Sequence, residues 1–340
     1  MGSLWRLGAL ILGMALCIAS DLASQSSFGA PLWAIGASEE PAGQVCAESS
    51  ALDGDDSGRV YLLDGLLKHV QVFDSLGQHL LTIGREGNGP SEFAGAMRAT
   101  SLADTVLVAD AGNVRLNLIA PGPTPRVARA VRAPNVPTGV CTLGARIFLW
   151  DNLGTRLIQE VGPDGAAVSS FAAREKPSGS LERMLQGHDH FLNQGSMACD
   201  ESAGLVILAH SFHPAIRAFR ADGTEAWRLE LGDYHQQRFE VGPGGLCCAY
   251  LIPDPASNTY HVAVDAVAPG DGFVYVTLRE SGPRTREGEY EVRVIALREG
   301  REVDRFSAPG ILSSVRGARA FVIEPYPIPR LHVYAWGSEP

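Results

Sequence analysis

The sequence predicts an all-β chain folded as one six-bladed β-propeller. Each blade is a four-stranded antiparallel sheet, and the last is closed by the N-terminal strand. Three observations carry this. Short apolar strands separated by Gly/Asp turns recur six times at a spacing of about 50 residues. No stretch has the apolar period of a long amphipathic helix. The chain ends are complementary, because the sixth copy stops before an outer strand and Leu32–Gly36 reads as one.

Arg6 and the apolar run Leu7–Ala19 read as an export signal, since the run is shorter than the ~20 residues of a bilayer span. The expected division is a signal peptide over 1–20, a flexible segment over 21–30 and a propeller domain over 31–340. Cys17 follows Leu16, where a lipid-anchored protein has a small residue. A secreted or periplasmic protein is therefore expected rather than a lipoprotein, with no membrane span after cleavage.

Copy one contains Gly58–Asp64, His69–Asp74 and Gln78–Gly84. Copy two pairs Asp104–Asp110 with Gly112–Ile119, and copy three pairs Ala145–Asp151 with Thr155–Gln159. Gly204–His210 with Ala215–Phe219 forms copy four, Gly272–Leu278 with Tyr290–Leu297 copy five, and Ala320–Glu324 with Arg330–Ala335 copy six. Sheets this thin cannot bury a core singly. Stacked radially, they cover one another's faces and remove exposed edges. Leu32–Gly36 is similar to Leu80–Gly84 and is expected to supply the missing strand of blade six.

The link Ile83-Gly-Arg-Glu-Gly-Asn-Gly-Pro-Ser-Glu-Phe93 resembles the G-x-G-P-x-E-F link of NHL-type six-bladed propellers. Leu62–Gly77 resembles that family's strand–Asp, His-x-x-x-Phe-Asp, Gly pattern. The resemblance implies the propeller fold. Its known members include binding scaffolds, lactonases and lyases, so the fold does not select a chemistry.

Composition narrows the partners. There are 38 glycines and 21 prolines in 340 residues, above the roughly 12% of ordinary usage. The net charge of −10 argues against nucleic acid and against an anionic membrane surface. After export, Cys46, Cys141, Cys199, Cys247 and Cys248 remain. Some are expected to pair in an oxidising compartment, and the vicinal Cys247 and Cys248 are one candidate disulfide. Their spacing does not fit a structural zinc site.

The residues ending each second strand are candidates for the channel mouth: Asp64, Asp110, Asp151, His210 and Glu324, with Leu278 near the same place in copy five. The aspartates suit a turn-capping role. His210 and Glu324 depart from the repeat, and a grafted site would show as such a departure. His188 and His190 lie in the lengthened link after blade three and, with His210 and Asp200, form a candidate set for zinc or calcium. The long link Asp233–His261 is either a lid or a tolerated insertion. Gly87-Asn-Gly89 lacks the Lys/Ser and helix of a phosphate loop and is explained as a turn.

No convergent catalytic set is visible, so the first expectation is a non-catalytic protein that binds a protein, peptide or glycan on one ring face. The alternative is a metal-dependent lactonase, hydrolase or lyase with a His-rich site at the channel mouth. A module of a cell-envelope assembly is a third.

Overall fold

The computed structural model describes residues 28–36, 49–54, 58–102, 105–120, 122–176, 189–190, 192–236, 238–242, 245–252, 259–282 and 285–337. The expected signal peptide, Cys46 and His188 lie outside them.

Six four-stranded antiparallel sheets form the blades. Strand β1 (Trp33–Gly36) comes first. Blade one contains β2 (Ser49–Gly54), β3 (Val60–Asp64), β4 (His69–Phe73) and β5 (His79–Ile83). Blade two contains β6 (Ala96–Leu102), β7 (Thr105–Asp110), β8 (Arg115–Ala120) and β9 (Arg126–Arg132). Blade three contains β10 (Gly139–Leu143), β11 (Arg146–Trp150), β12 (Arg156–Val161) and β13 (Ala167–Ala173). Blade four contains β14 (Gly195–Asp200), β15 (Leu205–His210), β16 (Ala215–Arg220) and β17 (Glu225–Glu230). A separate hairpin follows, β18 (Arg238–Gly242) with β19 (Gly245–Ile252). Blade five contains β20 (Tyr260–Val267), β21 (Phe273–Gly282), β22 (Thr285–Ala296) and β23 (Arg301–Ala308). Blade six contains β24 (Ile311–Arg316), β25 (Arg319–Glu324) and β26 (Arg330–Ala335), and β1 completes it.

The first strands meet in the order β2, β6, β10, β14, β20, β24 and back to β2, which closes a ring around a central axis. The core follows from this geometry. There are six hydrophobic clusters, and each straddles two neighbouring blades. Middle strands are therefore covered on both faces. All five residues of β3 are buried, whereas the outer strand β5 alternates. This is why the second strands read as continuous apolar runs rather than as clean alternation.

Ring closure has the expected form. In β1, Trp33 pairs with Val333 and Ile35 with Leu331. Trp33 also repeats a contact made elsewhere in the ring. Its indole N–H donates to Ser75 O at 3.1 Å, as the Trp227 indole donates to Leu297 O at 2.7 Å. Each is an outer-strand tryptophan lying on the third-to-fourth strand turn of the next blade. Gly77 in that turn has φ +83°, and a Cβ there would lie 2.7 Å from the Trp33 ring. Phe28, placed by the sequence in the flexible segment, is instead buried against Phe306, Tyr334 and Trp336.

The link from blade one to blade two is a self-contained turn. Gly89 N–H and the Arg85 guanidinium donate to the Glu92 carboxylate at 2.7 and 2.9 Å, and Phe93 is fully buried. A Cβ on Gly87 would lie 2.2 Å from Glu92 Oε2. The anion that this glycine loop cradles is the protein's own carboxylate, as expected for a turn rather than a phosphate site.

Cys141 and Cys199 form a disulfide between the neighbouring first strands β10 and β14. Cys247 and Cys248 lie in β19, where the described structure gives strand placement only.

Two predictions follow from closure and cross-linking. Deleting residues 28–36 strips the outer strand from blade six and should lower Tm by about 10 °C or more, from a loss of several kcal/mol; a melt within about 2 °C of the mature protein would contradict the closure. The Cys141–Cys199 bond closes a 58-residue separation. Replacing both cysteines by serine should therefore cost up to about 4 kcal/mol in urea unfolding.

Candidate functional site

Strand register separates the two ring faces. The face bearing the second-to-third strand turns and the links between blades is called upper here. Asp64 pairs with His69, Asp110 with Arg115, and Glu324 with Arg330, which puts these strand ends on the upper face. His210 pairs there with Gly195.

The three aspartates are occupied by the backbone. Asp64 Oδ1 accepts from Leu66 and Leu67 N–H at 2.9 and 2.7 Å. Asp151 Oδ1 accepts from Leu153 and Gly154 N–H at 3.0 and 2.8 Å. Asp110 Oδ1 accepts from Ala94 and Gly95 N–H, which ties the incoming link to the blade. All three are buried. Through Oδ1 they fasten backbone turns and links.

His210 replaces that aspartate and is also buried. Its Nδ1–H donates to Leu192 O at 3.3 Å, and its ring meets Trp150 edge-on at 5.6 Å. Burial pushes its pKa down to about 3, so the imidazole is neutral. The segment with His190 makes a turn just before this contact: Leu192 and Asn193 N–H donate to Asp189 and His190 carbonyls. His210 thus touches the link at Leu192, two residues past His190. Asp200 does not join them. It ends β14 on the lower face, five residues from Gly195 and roughly 17 Å away at the strand rise. There it caps its own turn through Ser202 and Ala203.

Glu324 accepts from His332 Nε2 at 2.9 Å. Leu278 occupies the register position of the aspartates, but β21 runs on to Gly282 and β22 begins at Thr285. The blade-five strands thus project further on the upper face than the repeat spacing suggests.

The long link brings together residues that the sequence did not single out. His235, His261 and Glu280 place ligand atoms within 4.8 Å of one another. His235 N–H donates to His261 Nδ1 at 2.9 Å, and His261 N–H donates to His235 O at 2.9 Å. The two rings stack at 4.9 Å with planes 18° apart. A metal on His261 Nε2 would require a proton on Nδ1, facing that backbone N–H, and parallel rings do not converge their lone pairs on one ion. The trio does not fit a metal in this arrangement.

Charge also concentrates here. Arg217 on β16 is buried, bonding Glu175 Oε1 at 2.9 Å, Ala173 O at 2.7 Å and Glu225. Arg293 on β22 holds Asp233 and Glu302 in the same way. Burial would raise the Asp233 carboxyl, but Arg305 and Arg293 outweigh it and hold the pKa well below the usual range. Each link acid is clamped by the arginine of the following blade.

Below this lies the axis. Arg98 on β6 crosses from blade two to blade five, its guanidinium 3.4 Å from Val264 O. Beside it, the buried Asp265 carboxylate accepts from Ser196 Oγ at 2.7 Å and Ala266 N–H at 2.9 Å. Burial raises the Asp265 pKa, and Arg98 opposes that rise. These groups bolt blades two, four and five across the channel. On the lower side the channel widens into a cavity of about 1210 Å³. Its lining includes Thr100, Ser101, Thr142, Ser313, Ser314 and Arg316, and Glu201 is the one described carboxylate in it. Arg316 donates to Ser101 Oγ at 2.8 Å. No sequence signal marked this cavity, because its lining comes from first strands and turns whose small residues carry no repeat signature.

No family model matches the chain, and no curated protein is similar to it in sequence. Solved structures share the fold. A member of the DUF4221 family from Bacteroides vulgatus is 11% identical with a TM-score of 0.59, over 92% of this chain and 97% of that one. A Bacteroides fragilis protein named, by inference, as exported is 10% identical with a TM-score of 0.55, over 90% and 95%. Virginiamycin B lyase from Staphylococcus aureus is 10% identical with a TM-score of 0.49, over 89% and 98%. At such identities the likeness is one of fold alone. The class of protein established is therefore a six-bladed β-propeller with four-stranded antiparallel blades. Among the described residues no helix is long and apolar enough to cross a membrane.

The buried histidines give a pH prediction. His210, His213 and His261 all have pKa values lowered by burial. The unfolded chain takes up protons below pH 6.5 that the fold refuses, so stability is full above 6.5 and falls as pH drops toward about 3. His210 alone should cost about 1.4 kcal/mol per pH unit in that window. Urea unfolding between pH 7 and 5 should show a shallower slope for His210→Asn, and an unchanged slope would refute the assignment.

Proposed function

We propose that the chain is an exported, NHL-like propeller that binds an extended peptide, carboxylate first, in the lower axial cavity, without catalysis. The observation carrying this is the cavity itself: large, open on one face, and bridged above by Arg98 and Asp265. Its wall offers hydroxyls and one guanidinium, Arg316, suited to backbone amides and a carboxylate. No aromatic side chain is among its described lining residues, which favours a peptide over a glycan that would stack on one. Export is supported by the apolar run Leu7–Ala19 and by the Cys141–Cys199 disulfide.

The other reading, a metal-dependent hydrolase or lyase, would set zinc among His188, His190 and His210. Stoichiometric zinc in the purified chain would favour it.

Calorimetry with a peptide library, each member with a free or an amidated C-terminus, tests the proposal. Free-acid peptides should bind. Arg316→Gln should weaken them at least tenfold, about 1.4 kcal/mol, and Thr100→Trp should weaken binding by placing an indole in the cavity lining. Binding of glycans alone, or peptide binding that ignores both substitutions, would overturn it.

A further inference from the structure

We propose that the base of the β18–β19 hairpin is a proton-operated clasp, shut while His261 is neutral and opened when His261 takes up a proton. The chain leaves the blade-four/five corner at His235, forms the hairpin, and returns at Thr259 and Tyr260. Below the β18–β19 pairing, the described residues of the two ends meet here. His261 N–H donates to His235 O, His235 N–H donates to His261 Nδ1, and His235 Nδ1 lies 3.0 Å from Thr259 Oγ1. The Tyr234 ring packs on His261 at 5.5 Å, and its hydroxyl donates to Ser211 O at 2.6 Å, fixing the outgoing strand to blade four.

Protonation acts on the key acceptor. A neutral His261 that receives an N–H at Nδ1 carries its own proton on Nε2. A second proton can only go to Nδ1, which then sets one donor against another at 2.9 Å. The bond is lost and replaced by repulsion, while the open arm lets the imidazolium reach water.

The groups facing His261 set the balance. Glu280, opposite it on β21, and Asp233 favour its proton, whereas His235 and Arg293 oppose it. Asp233 is already held by Arg293 and Arg305, so its pull is largely spent. His261 is also 9% exposed, and burial disfavours its charge. The closed form therefore binds the proton more weakly than the open form. Opening gains up to tenfold per pH unit below the free-histidine range near pH 6.5. The clasp lies on the upper face, on the other side of the Arg98–Asp265 bolt from the axial cavity, and does not depend on that cavity's ligand.

Hydrogen exchange of the mature protein, corrected for the intrinsic pH dependence, reads the clasp directly. Between about pH 7.5 and pH 5, the amides of His235 and His261 should lose at least tenfold protection while those of β3 and β15 hold theirs. His261→Asn keeps an acceptor at the Nδ1 position but cannot titrate, and it should stay protected at the acid end. His261→Leu removes the acceptor and should lose protection at neutral pH with the β15 amides unaffected. The proposal falls if the wild-type amides stay protected in acid, if His261→Asn opens as the wild type does, or if added zinc chloride protects the stem in a His261-dependent way.

Discussion

The constraint on which the structure depends is that no blade is apolar on one side only. The middle strands carry core residues on both faces, and all six clusters lie between blades. An isolated blade would expose two greasy faces, and an open ring would expose one at each end. The whole core therefore depends on the joint between first and last blades. That joint is β1, and Trp33 shows how closely it has been made to resemble an internal one. It donates its indole N–H to the next blade's turn, as Trp227 does in the uninterrupted part of the chain. Blade six thus gives blade one the same edge that blade four gives blade five.

Much of the architecture could be read from residues. Second strands such as Val60–Asp64 and Leu205–His210 announce themselves because double burial makes them continuously apolar, and the outer strands because Gly–Asp turns bracket them. The N-terminal strand was legible as a missing piece of copy six. First strands were not: Ser49–Gly54 and Gly139–Leu143 are rich in small or polar residues and carry no continuous apolar run. The blade-five strands were read too short, since Leu278 matches the repeat while pairing continues to Gly282. The disulfide partners were open among five cysteines, because adjacency of β10 and β14 is a property of the closed ring.

The site residues divide the same way. Asp64, Asp110 and Asp151 were legible as turn caps, because an aspartate before a tight turn has an obvious backbone to bond. His210 touches the link that carries His190 at the Leu192 carbonyl. Asp200 was misjudged because nearness in sequence says nothing about which end of a strand a residue occupies. His235, His261 and Glu280 were missed for the opposite reason. They are far apart in sequence and meet only because the long link returns to its starting point and β21 overruns its repeat length.

Departures from the repeat accumulate in blades four and five, and they share a cause. One position in the third strand of every blade points at the preceding blade: Gln71, Asn117, Gln159, Arg217, Arg293 and His332. Amides serve in the first three, and in blade two the incoming link is fastened by its Ala94 and Gly95 N–H groups to the strand-end carboxylate of Asp110. In blades four and five that carboxylate is replaced by His210, which meets its link at Leu192 O, and by Leu278, which offers no polar atom. There the buried arginines Arg217 and Arg293 grip Glu175 and Asp233 on the links themselves. Once a link is held by an ion pair at its first few residues, the rest of it no longer has to follow the ring. That freedom is what allows the segment after Asp233 to leave, form a hairpin and return. The chemistry-bearing corner is thus a consequence of how the ring is fastened there, and it lies on the opposite side of the Arg98–Asp265 bolt from the axial cavity.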